Sequence, residues 1–269
     1  MAVTITAAMV KSFRDRTGLP MLECKKALQE ADGDEELAIE LLRKAGKKTM
    51  EKRSDRETEA GRIAVYSANG VTAMIELLCE SAPVANTKEF AELVNNIVKQ
   101  LAEGPGAATP EELLAQGDLQ QQVDDLVNKI REVFRLKRIL RVEGAVGTYV
   151  HHNFAVGVVM EVEGDNKQVA DQICMHVAAM NPKALCADDL DSAVLAKERE
   201  IAEEQTKNQN VGKPDSIIAR IVDGRVKTFL KENCLVDQDF AFDGSKSVGQ
   251  VAKEGGVALK KMHHWILGK

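Results

Sequence analysis

A chain of 269 residues is long enough for two or three domains. Its 44% hydrophobic and 29% charged content is that of an ordinary soluble globular protein. A net charge of −6 with only 4% aromatics argues against nucleic acid as a direct partner, because phosphate needs clustered positive charge and bases need stacking surfaces. No stretch approaches the roughly 20 apolar residues of a membrane span. No basic segment precedes an apolar run at the N-terminus, so no signal peptide is expected, no membrane partner, and a cytoplasmic location. Cys24, Cys79, Cys174, Cys186 and Cys234 are odd in number and lack CxxC spacing, which reads as reduced thiols.

Residues 1–46 predict three short helices with hard stops between them. Thr6 is placed to cap the first, which carries Met9, Val10 and Phe13, and Thr17-Gly18 ends it. Pro20 suits the first turn of the second helix, whose apolar stripe is Cys24, Ala27 and Leu28. Asp32-Gly33 breaks that helix and Asp34 caps the third. The third helix is expected to turn Leu37, Leu41 and Leu42 inward and to close at Gly46. The pattern is a miniature three-helix bundle without catalytic groups, hence a docking module.

Residues 47–61 are charged and read as a linker or an exposed helix. From Ile63 the period changes to two. Asn69-Gly70 separates two alternating runs, which predicts a hairpin ending near Cys79. A helix is expected over 87–102, then two helical stretches over 110–136, the second including Val133 and Phe134. A long strand over 138–150, with Gly144 and Gly147 as bulge or bend points, returns as 156–162 and is followed by a helix near 165–179. Hairpin-then-helix thus occurs twice, a weak internal repeat.

Residues 188–232 read as two amphipathic helices around Gly212-Lys213-Pro214, with narrow apolar stripes and charged outer faces. That suits a protruding coiled-coil arm. A helix near 247–254 and a strand near 258–267 finish the chain. The expected fold class is α+β. Its segments are a bundle (1–46), a linker (47–61), a core N-terminal half (62–137), a core C-terminal half (138–187 and 233–269) and the helical arm (188–232).

Chemical motifs are missing. The pairs His151-His152 and His263-His264 fall in strand-like segments, where neighbours point to opposite faces and chelate one ion poorly. His176 reads as a satisfied core or interface histidine. Neither GxxxxGK[ST] nor GxGxxG is present, and no nucleophile–base motif is found. No metal, no cofactor and no chemical active site are expected. Asp124-Asp125 and Asp188-Asp189 read as solvated acidic faces.

The run Arg16-Thr17-Gly18-Leu19-Pro20-Met21-Leu22-Glu23-Cys24-Lys25-Lys26-Ala27-Leu28 closely resembles the start of the bacterial elongation factor Ts family. So do Glu30-Ala31-Asp32-Gly33-Asp34 and Ala38-Ile39-Glu40, and a looser likeness continues to about residue 267. The resemblance implies a guanine-nucleotide exchange factor for elongation factor Tu in protein biosynthesis, one that binds the GDP-bound and nucleotide-free forms. In that family the first hairpin ends in Thr-Asp-Phe-Val after a cysteine, and the acid and ring loosen the partner's magnesium and GDP. Here the matching segment is Cys79-Glu80-Ser81-Ala82-Pro83-Val84. Ser81 and Val84 keep close to the pattern, Ala82 replaces the acid and Pro83 the aromatic. Glu80 is then the candidate for a shifted carboxylate. Other family contacts carry over to Arg14, Met21 and Leu22 in the bundle and to His151 beside the second turn. The bundle also resembles adaptor domains of the ubiquitin-associated type, which leaves a non-exchanging adaptor as the alternative function.

Overall fold

The computed structural model describes residues 3–51, 55–209 and 213–269. Helix and antiparallel sheet alternate along the chain, and the fold is of mixed α and β type. It divides into two compact units. One holds the residues up to Val142 with His152–Ala155 and Ile266–Lys269. The other holds Glu143–His151 and Val156–Trp265.

The first unit begins with α1 (Ala7–Thr17), α2 (Met21–Glu30) and α3 (Glu35–Glu51). The Thr6 hydroxyl accepts from Met9 N–H, and Gly18 adopts φ 68° to return its N–H to Arg14 C=O. Only a residue without Cβ takes that left-handed turn at no cost. Asp34 Oδ1 accepts from the Glu36 and Leu37 N–H groups, capping α3. Val10, Phe13, Leu19, Cys24, Ala27, Leu28, Ala31 and Ala38 form the small core.

Three expectations change here. Pro20 flanks α2 as its N-cap residue and does not enter its first turn. Leu37 is 43% exposed, because Ala38 takes the inward position of that turn. Gly46 does not close α3, whose helix runs on to Glu51. A β-carbon at Gly46 would overlap the side-chain amide of Asn128 on α7 (Leu119–Ile130), so this glycine permits close helix packing. The start of the 47–61 segment is helix, one of the two forms expected of it, and residues 52–54 lie outside the described residues.

The bundle rests on α7 through a row of contacts. Arg43 grips both carboxylate oxygens of Asp125 at 2.8 and 3.0 Å. Lys129 lies over Gly18, and Arg131 pairs with Glu23. Asp125, read from sequence as a solvated acid, is thus a bundle contact.

The sheet of the first unit has the order β1-β2-β3, from β1 (Ala60–Ala68), β2 (Val71–Cys79) and β3 (Arg135–Glu143). Ala68 pairs with Val71, leaving a two-residue turn in which Asn69 and Gly70 take φ 52° and 77°. Both angles are those of a type I′ hairpin. On the sheet lies α5 (Lys88–Glu103), capped by Thr87, with Phe90, Leu93, Val94, Ile97 and Leu101 buried. Short α6 (Pro110–Leu114) and α7 complete this core. Helix α7 stops at Ile130, so Val133 and Phe134 pack from the following loop and not from a helix; Phe134 meets Phe90 edge-on at 5.2 Å.

The expected strand over 138–150 is two strands. Gly144 takes φ 102°, β3 ends before it, and β4 (Val146–Val150) joins the other sheet. In the second unit that sheet has the order β4-β5-β8, with β5 (Val156–Glu163) and β8 (Ala258–Ile266). Helix α8 (Lys167–Met180) covers it, closest at Gly147, where a β-carbon would overlap the Ala170 carbonyl. The second unit also contains α9 (Ser192–Gln209) and α10 (Asp215–Asn233), which pack through Ala202, Val222 and Val226. Their outer faces are not wholly charged: Val194 and Ile217 are 45% and 46% exposed. Gly212 of the intervening turn lies outside the described residues. A hairpin of β6 (Asp239–Phe240) and β7 (Asp243–Ser247) leads into α11 (Val248–Glu254), which Ser247 and Gln250 cap reciprocally.

His176 on α8 is wholly buried and satisfied, as its sequence context implied. Its Nδ1 accepts from Ala241 N–H at 3.1 Å, so Nε2 carries the proton and donates to Gln238 Oε1 at 2.9 Å. Burial lowers its pKa below the ordinary histidine value, against the opposing effect of the Gln238 bond. Burial also lowers that of His264. A depressed folded pKa means that the unfolded chain binds more protons between the folded pKa and about 6.5. The stability held by the neutral ring is full above about 6.5 and is lost as pH falls through the folded pKa. Urea midpoints are therefore expected to drop from pH 7.5 to 5.5, and to drop less in His176→Gln. Equal slopes in the two proteins would contradict this.

Candidate partner-contact segments

Strand β2 ends at Cys79, and the chain turns at once into a single helical turn, α4 (Ala82–Ala85), with proline in its first positions. Ala85 is buried and anchors the turn, whereas Ala82 and Pro83 are exposed and Val84 is half-buried. The turn is tied down on several sides. Ser81 has N-cap backbone geometry, yet its hydroxyl does not cap α4. It donates to Glu132 Oε1 at 2.5 Å, while Ser81 N–H donates to Glu132 Oε2 at 3.0 Å. At the far end Arg62 Nε donates to Ala85 C=O at 2.6 Å, and the same guanidinium lies 4.1 Å over the Phe154 ring. Thr87 donates to Val84 C=O at 2.8 Å. Pro83 fixes its own φ within this frame. The result is a small, stiff, exposed knuckle presenting Ala82 and Pro83.

Glu80 turns back into the protein. Its side chain is 18% exposed; Oε1 accepts from Val133 N–H at 2.8 Å and Oε2 pairs with Arg56 at 2.9 Å. For its carboxylate to act on a partner's cation, those bonds must first open. Cys79 beneath it is a poor nucleophile, because burial, reinforced by the Glu132 charge, pushes its thiol up to about 11.

In the bundle, Arg14 is exposed on α1. Met21 and Leu22, on the first turn of α2, are 50% and 65% exposed. Two adjacent large apolar side chains on this helix start thus lie outside the bundle core. His151 directly follows β4 in the second unit, half-buried, with Nδ1 3.0 Å from the Tyr149 hydroxyl. Sequence reasoning missed Glu132, Arg62 and Arg56, the residues that hold the knuckle. Glu132 and Ser81 are 51 positions apart, and nothing local marks the pair.

Among the described residues no group of three or more His, Cys, Asp or Glu is placed to hold a metal ion, and no helix is long and apolar enough to cross a membrane. The fold is of mixed α and β type, with the Ser81–Val84 turn and the Met21–Leu22 pair among its exposed segments. The sequence profile described as elongation factor TS matches residues 83–269. Relatives include an elongation factor Ts of Cellvibrio japonicus, 40% identical over 98% of this chain and 91% of its own length. Another, from Corynebacterium jeikeium, is 40% identical over 98% of both chains. A third, from Pseudarthrobacter chlorophenolicus, is 40% identical over 94% of both. The chain belongs to the elongation factor Ts family, a family of translation elongation factors.

Proposed function

We propose that this chain binds elongation factor Tu with GDP bound, promotes GDP release and so allows exchange for GTP. No bond in a substrate is made or broken in this reading, and the protein is an exchange factor working in the cytoplasm without cofactor or metal. The observation that carries it is the stiff, exposed Ser81–Val84 knuckle at the end of β2. Arg14, Met21 and Leu22 are assigned to docking on a bundle of ubiquitin-associated type, and His151 to a separate contact. The pair α9–α10 is taken as a coiled-coil arm.

The mechanism is linkage. A partner that binds nucleotide-free elongation factor Tu better than its GDP form weakens GDP binding by the same free energy. With Ala82 in place of an acid and Pro83 in place of an aromatic, the knuckle contributes shape and stiffness, not charge. Docking then carries a larger share of the coupling, and Glu80 adds to it only if Arg56 and Val133 release its carboxylate.

Stopped-flow release of a fluorescent GDP from elongation factor Tu tests the reading. Release is expected to accelerate and saturate with this chain, and Glu80→Gln to leave the saturated rate within about twofold, under 0.5 kcal/mol of barrier. Binding without acceleration would instead favour a non-exchanging adaptor.

A further inference from the structure

One residue that holds the knuckle and one that holds the bundle are sequence neighbours. Arg131 and Glu132 follow directly on α7. Arg131 takes φ 68°, ψ 25°, the left-handed conformation that suits glycine or asparagine at a helix end. A long L side chain adopts it only against a steric cost that glycine escapes. Glycine would cap α7 without that cost, so the helix end alone does not account for arginine here. What arginine adds is its side chain, which pairs with Glu23 on α2, the residue directly after Met21 and Leu22. The left-handed turn also reverses the chain at once, and this sets Glu132 against Ser81, where one carboxylate takes both the N–H and the hydroxyl.

We propose that Arg131 and Glu132 are a pair of positioning residues that hold the docking face of the bundle and the Ser81–Val84 knuckle in one fixed register. Arg131 sets the bundle through Glu23; Glu132 sets the knuckle through Ser81. The left-handed backbone between α7 and β3 makes the two grips rigid with respect to each other. Neither residue has to touch the partner. Their effect is to convert docking free energy at α2 into pressure at the knuckle, which a loose connection would dissipate. The functional half of this inference rests on the exchange reading above; the structural half does not.

The test therefore has two readouts on the full-length chain. The first is amide hydrogen exchange at Ser81, whose N–H donates to Glu132. Glu132→Ala is expected to raise its exchange rate at least about tenfold through local opening, with protection in α5 unchanged. Glu132→Gln, which keeps the size and one acceptor, is expected to fall between Ala and the parent. The second readout is GDP release from elongation factor Tu, separated into the saturated rate and the half-saturating concentration. Arg131→Ala and Glu132→Ala are each expected to lower the saturated rate about tenfold while shifting half-saturation less than about threefold. Arg131→Lys, which keeps the charge opposite Glu23, is expected to restore most of the rate. Ser81→Ala combined with Glu132→Ala should lose no more than Glu132→Ala alone, because the two report one interaction. Unchanged Ser81 exchange in Glu132→Ala would overturn the grip itself. Loosened exchange with an unchanged saturated rate would overturn its role in register. If the parent chain does not accelerate GDP release, the exchange reading fails, and the Ser81 amide still decides whether the grip exists.

Discussion

Arg138→Ala is expected to destabilise the first unit by about 3 kcal/mol, the low end of the range for stranding a buried charge. The reason is Glu76. It interrupts the apolar run of β2 between Ile75 and Leu77 and is fully buried. Its Oε2 pairs with Arg138 on the neighbouring β3, and its Oε1 accepts from Gly268 N–H at 2.7 Å. Arg138 in turn donates to Ile266 C=O at 3.0 Å. Two strands and the end of the chain thus meet on one carboxylate. Without the guanidinium, the buried carboxylate keeps the Gly268 amide, which does not offset its charge. The Arg138 side chain is 30% exposed, so water relieves part of the cost, which is why the low end of the range applies. Replacing both partners by apolar residues, Glu76→Leu with Arg138→Leu, removes the stranded charge and is expected to recover most of the loss. Urea unfolding followed by circular dichroism measures all three proteins. A single variant within about 1 kcal/mol of the parent would show that Glu76 is not held in this way.

Glu76 also shows what was legible in the sequence and what was not. An acid between Ile75 and Leu77 is visible in the sequence, but its partners lie on β3 and at Gly268, and no local pattern points to them. Local signals translated directly. Thr6 and Asp34 cap helices, and Asn69-Gly70 turns the first hairpin, because a cap or a turn is decided within four residues. Periodicity located the cores of α2 and α5, since one face of each helix is buried. It misplaced Leu37, because the three residues Leu37, Leu41 and Leu42 share a stripe that is wider than the bundle's small core. It also merged β3 with β4, because both alternate and only the φ 102° at Gly144 separates the two sheets. At the candidate site, the sequence located the exposed residues Ala82 and Pro83 and the apolar pair Met21 and Leu22. What holds them was out of reach. Ser81–Glu132 spans 51 positions and Glu23–Arg131 spans 108, and such pairings exist only once the chain has folded.

Gly46→Ala is expected to destabilise the protein by about 1–3 kcal/mol, the usual cost of forcing atoms into a packed interface. The direction is the informative part. In an exposed helix interior the same change gains up to about 1 kcal/mol, because glycine is the freer residue when unfolded. Gly46 lies inside α3, five residues before its end at Glu51, so propensity alone predicts a gain. Packing predicts the opposite, since the new methyl would occupy the place of the Asn128 amide on α7, itself 7% exposed. Asn128 cannot simply swing away without leaving the contact between α3 and α7, on either side of which Arg43–Asp125 and Glu23–Arg131 fix the spacing. Removing the obstacle should reverse the sign: Gly46→Ala in an Asn128→Ala background is expected to be neutral or stabilising relative to Asn128→Ala. Urea midpoints for the four proteins of this cycle give the coupling directly. Under the proposed docking role of Met21 and Leu22, the single Gly46→Ala variant is expected to raise the half-saturating concentration in the exchange assay, because a bundle lifted from α7 presents that pair out of place. A more stable Gly46→Ala would mean that α3 does not press on α7 at this point, and the close packing of bundle and core would have to be abandoned.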